Sequence, residues 1–232
     1  MSDKKHESNE LDLDKTLADT THKVEDFYHN NKKPINIAIV ATLVIVGAYL
    51  GYKKLYVEPM EEEAQNAIFR AQKYFELDSF NLALNGNDQF SGFEAIADQY
   101  GASTTGNLAH FYAGICNLRL GKYEEAVDHL EDFNTDNKLV GPLAEGAIGD
   151  AYVELGDLEK GVKHYLKAAR MSKNKLTSPI FLKKAGLVYE EQKEYDDAVD
   201  AYSSIKKDFA ESQEAQDIDK YIARATALKD GN

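Results

Sequence analysis

Six histidines, one cysteine and 40 acidic side chains are the groups of this 232-residue chain best suited to move protons, hold metals or act as nucleophiles. The histidines are His6, His22, His29, His110, His129 and His164. No two of them stand three or four residues apart, so no single helix offers a paired metal site. His110, His129 and His164 fall in apolar periodic stretches and read as packing or surface residues. Cys116 sits in an apolar context and reads as a small buried hydrophobe. One cysteine excludes an intramolecular disulfide framework and any multi-cysteine zinc site. Acidic pairs such as Glu124-Glu125, Glu190-Glu191 and Asp196-Asp197 lie at helix starts or on exposed faces, and at a start they complement the helix dipole. There is no nucleophile elbow and no glycine loop for a phosphate. The reading is therefore non-enzymatic, with no cofactor, no metal and no small-molecule substrate.

The elements carrying these residues are recognised by repetition. Ala113-Gly-Ile-Cys-Asn-Leu-Arg-Leu-Gly-Lys-Tyr-Glu-Glu-Ala126 aligns with Ile148-Gly-Asp-Ala-Tyr-Val-Glu-Leu-Gly-Asp-Leu-Glu-Lys-Gly161. Both align with Ala185-Gly-Leu-Val-Tyr-Glu-Glu-Gln-Lys-Glu-Tyr-Asp-Asp-Ala198. Gly114, Gly149 and Gly186 provide close approach of a first helix to a second. Gly121 and Gly156 stop the first helix in a left-handed turn, where glycine is cheapest; Lys193 takes that place in the third copy. Tyr123, Leu158 and Tyr195 open the second helices, and Ala126, Gly161 and Ala198 keep the crossings tight. The pattern resembles the tetratricopeptide repeat, with its period of about 34 residues.

Upstream, Ala64, Ala67, Ile68, Ala71, Tyr74 and Phe75 have helical spacing. Asn85-Gly-Asn-Asp88 interrupts the next helix, and Gly92–Tyr100 resumes it. The expectation is a repeat whose second helix is broken by a turn. Downstream, Ser212 caps a last helix carrying Ala215, Ile218, Ile222, Ala225 and Leu228, which covers the final repeat.

Taking Asn107, Pro142 and Pro179 as first positions, the inward residues of the first helices are Leu108, Phe111, Ile115, Leu118 and Arg119. In the second copy they are Leu143, Gly146, Asp150, Val153 and Glu154. In the third they are Ile180, Lys183, Leu187, Glu190 and Glu191. This predicts a protein-binding groove, apolar in the first repeat and more acidic in the later ones.

Charge is unevenly placed. Residues 1–33 carry a net charge of −2, and residues 55–232 carry the full −13, balanced only by Lys53 and Lys54. So acidic a chain lacks the basic face that nucleic acid requires. Pro34–Tyr52 has no charged residue. Nineteen residues span about 28 Å as a helix, near the ~30 Å of a hydrocarbon core. Lys32, Lys33, Lys53 and Lys54 bracket the segment, and Tyr49, Tyr52 and Tyr56 form an aromatic belt. The predicted division is a polar N-terminal arm (1–33), a transmembrane anchor (34–54) and a repeat domain (55–232). The fold class is all-α: one N-terminal transmembrane helix, then an α-solenoid. The arm reads as a solvated tail, with a short amphipathic helix through Leu11, Leu13, Leu17, Val24 and Phe27 as the alternative. Basic residues tie across the anchor, Lys23, Lys32 and Lys33 against Lys53, Lys54 and Arg70, and leave its orientation open.

Arm, anchor and acidic repeats in that order resemble the YfgM-like family of ancillary Sec-translocon subunits. The carrying residues are the Lys32-Lys33 to Lys53-Lys54 anchor, Ala64 to Tyr74, and Gly114 with Gly121 onward. The resemblance implies a bacterial inner-membrane protein with a cytoplasmic N-terminus and a periplasmic repeat domain. It implies translocon subunits or periplasmic chaperones as partners. The alternative function is a cell-envelope assembly scaffold or an oligomerisation module.

Overall fold

The computed structural model describes the backbone of residues 3–231 and the side chains of residues 28–231. The chain divides into two compact units, residues 1–56 and 57–232, two residues later than the boundary expected from charge.

The first unit is one helix, α1 (Asp3–Tyr52), followed by a π-helical turn at Lys53–Val57. Its backbone leaves helical geometry at Asn31 (φ −118°, ψ 15°). Pro34 is the cause: it lacks the N–H that would meet the Asn30 carbonyl, and its ring crowds that turn. The arm, read from sequence as a solvated tail, has a helical backbone; its apolar stripe from Leu11 to Phe27 lies outside the described side chains. The uncharged run is exposed on every face, with Ile37 at 69%, Leu43 at 65% and Ile45 at 68%. By length and composition it is sufficient to cross a membrane. None of this run is buried among the described residues.

The second unit is built from helix pairs. α2 (Glu58–Glu76) buries Ala64, Ile68 and Ala71 along one stripe. Its partner is split into α3 (Phe80–Asn85) and α4 (Phe93–Tyr100). Between them β1 (Gly86–Asn87) and β2 (Phe90–Ser91) form an antiparallel hairpin, with Gly86 opposite Ser91. The expected turn is thus a two-stranded ladder, so the fold is nearly rather than wholly α. The Asn87 carboxamide accepts from the Gln89 amide at 2.9 Å, and Arg70 braces the Gln89 carbonyl at 3.1 Å. This interrupted pair holds the richest aromatic cluster: Phe93 stacks on Tyr112 (centroids 4.9 Å), and Phe75 meets Tyr112 edge-on at 5.0 Å. Cys116 is fully buried beside them, and burial pushes its thiol pKa up to about 12.

Three regular pairs follow: α5 (Thr104–Arg119) with α6 (Tyr123–Asp132), α7 (Val140–Glu154) with α8 (Leu158–Ser172), and α9 (Ser178–Gln192) with α10 (Tyr195–Asp208). α11 (Ile218–Asp230) closes the array, burying Ile218 and Ala225 against α10. The Ser212 hydroxyl accepts from the Ala215 amide at 3.3 Å, at the start of the 3-10 turn that leads into α11.

The repeat glycines act as expected. A methyl group at Gly114, Gly149 or Gly186 would lie 2.5, 2.7 or 2.3 Å from Leu130, Tyr165 or Tyr202 on the facing helix. The turns at Gly121 (φ +74°), Gly156 (φ +79°) and Lys193 (φ +63°) are all left-handed. The α5 N-terminus is capped twice. The Ser103 hydroxyl accepts from the Gly106 amide at 2.9 Å, and the Glu61 carboxylate takes the Thr105 amide at 2.9 Å and hydroxyl at 2.7 Å. Burial works to raise the Glu61 pKa, but the Thr105 bonds, with Gln65 and Ser103, hold it below the ordinary carboxylate value.

Candidate functional site

The first helices α5, α7 and α9 stand side by side, so residues a turn or two apart on each share one concave face. There they enclose a trough of about 680 Å³. Phe111, Ile115, Leu118 and Arg119 line it from α5; Leu143, Asp150, Val153 and Glu154 from α7; Ile180 from α9. The sequence reading placed all nine of these residues inward.

The apolar wall is only partly covered. Phe111, Ile115 and Leu118 pack against the core formed by Ala126, Val127 and Leu130 of α6 with Ala144, Ala147 and Ile148 of α7, and Phe111 meets Phe133 at 5.3 Å. Leu143 is 42% and Ile180 is 36% exposed. Gly146 lies beneath: a methyl there would sit 1.9 Å from the Phe181 ring, so its absence admits that ring between α7 and α9.

The acids of the groove are not free. Asp150 accepts from the Tyr165 hydroxyl at 2.6 Å and from the Lys184 ammonium at 2.6 and 2.7 Å. Burial and this Asp150 bond push the Tyr165 phenol pKa far above its usual value. Glu154 accepts from the Tyr123 hydroxyl at 3.2 Å. The expected acidic character of the later repeats is therefore largely neutralised by cations from the next repeat. Arg119 is exposed and makes no ion pair or hydrogen bond among the described residues. It is the unspent charge of the trough.

The remaining predicted positions lie elsewhere. Lys183 and Leu187 line an adjoining hollow of about 470 Å³ with Gln213, Glu214 and Asp217, which shares Ile180 and Lys184 with the trough and where Lys183 pairs with Asp217 at 3.0 Å. Glu190 lies under α11 with its side chain 12% exposed. It accepts from Tyr202 at 2.8 Å, and the Arg224 guanidinium grips both its oxygens at 2.9 Å. Leu108 is half-buried and lines neither hollow. Glu191 is exposed and also lines neither.

Sequence reasoning missed Phe75, Tyr123, Tyr165, Phe181 and Lys184, which also line the trough. Lys184 was accessible to it: it lies 34 residues after Asp150, as Arg224 does after Glu190. A cation one repeat period after an acid is the pattern of a bond between neighbouring repeats. A second missed cluster joins α7 to α8. Glu145, 7% exposed, takes His164 Nδ1 at 2.7 Å and the Lys167 ammonium at 2.8 Å. Burial opposes its ionisation, yet His164 and Lys167 hold the carboxyl below its ordinary pKa.

Comparison with known families agrees with this geometry. One tetratricopeptide-repeat model matches residues 147–213, and another tetratricopeptide-repeat model matches residues 108–136. The pair interrupted by the hairpin falls outside both stretches. No curated protein matches the chain. Residues 108–136 and 147–213 therefore carry tetratricopeptide repeats, a class that serves generally as a non-enzymatic scaffold for protein partners.

Proposed function

We propose that this chain is a membrane-anchored adaptor whose trough holds a protein partner at the bacterial inner membrane. The observation that carries the reading is the trough itself: half-buried Phe111, Ile115 and Leu118 on α5 and exposed Leu143 and Ile180 on α7 and α9, with Arg119 unpaired among them. Desolvated aromatic and arginine anchors of this kind supply most of the energy at protein interfaces. The anchor is α1 from Pro34 to Tyr52. Its exposed aliphatic surface costs about 25 cal/mol per Å² in water, a cost that a bilayer removes. The Tyr52 and Tyr56 rings stack at 5.4 Å at the end of this run, as interfacial aromatics would. The resemblance to translocon-associated proteins supports a cytoplasmic N-terminus, a periplasmic repeat domain, and Sec-translocon subunits or chaperones as partners.

Crosslinking in intact membranes, read by mass spectrometry, tests the partner. Links from the trough to translocon or chaperone peptides are expected. Links between copies of this chain alone would replace the adaptor with an assembly scaffold. Protease added to spheroplasts tests orientation and is expected to digest residues beyond Lys54; protection there reverses it. The double variant Phe111→Ala, Arg119→Glu is expected to lose partner capture while keeping its helicity and melting temperature. Early melting would make these residues structural, and normal melting with retained capture would move binding elsewhere.

A further inference from the structure

His110 on α5 and His129 on α6 face each other Nδ1 to Nδ1 at 3.2 Å. Their ring centroids are 5.4 Å apart and their planes are tilted by 47°. The two residues are 19 positions apart, so only the packing of the helix pair brings them together. That packing is firm: Ala109 and Ala113 flank His110 on α5 with no exposure, and Ala126 and Leu130 bracket His129 on α6 at 0% and 2%. Both rings are half-buried, so the pair keeps an edge open to solvent. Neither ring lines the trough.

Two neutral imidazoles cannot both present a lone pair along one short line unless something positive lies between them. The hydrogen bond between them needs one Nδ1–H, and the tautomers decide which ring donates. The spacing also suits a metal ion. At Zn–N distances of about 2.0–2.1 Å and a tetrahedral angle, two nitrogen ligands stand about 3.3–3.4 Å apart. The observed 3.2 Å lies within about 0.2 Å of that requirement.

We propose that His110 and His129 form a binding site for a borderline divalent transition metal, zinc above all, held through both Nδ1 atoms. The ion takes the place of the Nδ1–H, whose proton passes through solvent to Nε2 of the same ring, so both rings become Nε2–H tautomers and α5 is joined to α6. No third histidine, cysteine or carboxylate stands close enough to complete the set among the described residues, so water fills the other positions. Charge around the pair favours a cation: Asp98 on α4 and Asp132, one turn after His129 on α6, both act on His110.

The test uses the full chain in detergent, without a histidine tag. Zinc binding is measured by equilibrium dialysis for the wild type, His110→Asn and His129→Asn. Circular dichroism checks that each metal-free variant is folded. The site predicts at least tenfold weaker binding in either variant, and a rise in melting temperature with zinc in the wild type alone. Copper(II) provides a readout that needs no variant: its paramagnetic resonance spectrum is expected to show coupling to two imidazole nitrogens at one equivalent. Magnesium, which prefers oxygen ligands, is expected to leave melting unchanged. Zinc affinity retained in both variants would assign binding to the other histidines and overturn the proposal. So would a copper spectrum showing fewer than two nitrogens, or no zinc binding by the wild type.

Discussion

Gly146→Ala puts two physical effects in direct opposition. Alanine is favoured over glycine in a helix interior by about 1 kcal/mol, so an open site in α7 would gain stability. Gly146 is not open. The added methyl would lie 1.9 Å from Phe181 Cε1 and 2.2 Å from its Cζ. Carbon atoms rest at about 3.5–4.0 Å, so the ring must retreat by about 1.5 Å or more. It has little room. Phe181 is 4% exposed and lies against Tyr165, with centroids 6.3 Å apart. Overpacking of this order costs about 1–3 kcal/mol, and a rigid ring belongs at the upper end. The net expectation is a loss of about 1–2 kcal/mol, or roughly 2–8 °C in melting temperature for a domain of this size. Urea denaturation of the full chain followed by circular dichroism measures it. Phe181→Leu removes the two nearest clashing atoms, Cε1 and Cζ, so the double variant is expected to be more stable than the sum of the singles by about 1 kcal/mol or more. A Gly146→Ala chain as stable as wild type, or single variants that simply add, would refute the steric argument.

Lys193 occupies a left-handed turn at φ +63°, so Lys193→Gly is expected to stabilise by about 0.5–1 kcal/mol, read from the urea midpoint. Glu145 has a pKa lowered by His164 and Lys167, so the native state binds fewer protons at this group than the unfolded chain. Its contribution is complete above the ordinary carboxylate pKa and is lost as pH falls through the lower native value. Glu145→Gln is expected to cost about 1–3 kcal/mol at pH 7 and to flatten the acid side of a melting-temperature profile. Arg224→Ala removes the fork on Glu190, and, with Arg224 itself half in water, is expected to cost about 1 kcal/mol and loosen α11, seen as faster amide exchange along that helix.

Much of this architecture is legible in residue types because its constraints are local. A left-handed turn selects glycine at Gly121 and Gly156, and a close crossing selects it at Gly149, so each leaves a mark at one position. The hairpin at Gly86–Ser91 is half legible: Asn-Gly-Asn-Asp announces a turn, but a ladder of two residues per strand has no period to detect. The groove positions on α5 and α7 are set by helical spacing. The role of each charge there is not, because Asp150 and Glu190 find their cations one repeat later. The His110–His129 contact is hidden for the same reason: a search for histidines one turn apart cannot see a pair made by two helices.

The joints between repeats differ in kind. Asp150–Lys184 and Glu190–Arg224 tie α7 to α9 and α9 to α11 with directional, multiply bonded charges. Between the α5–α6 pair and α7 the seam is apolar, with Phe111, Ile115 and Leu118 packed on a cluster of alanine, valine, leucine and isoleucine side chains from α6 and α7, and the 3.2 Å Tyr123–Glu154 bond runs from α6 to α7 as a polar tie across it. Apolar surfaces can slide by a fraction of a residue without losing a partner, whereas forked ion pairs cannot. The array therefore behaves as a stiff C-terminal block with one compliant joint, and the trough straddles that joint. A ligand seated between Phe111 and Ile180 would act as a strut across it, setting the curvature of the solenoid by its own thickness.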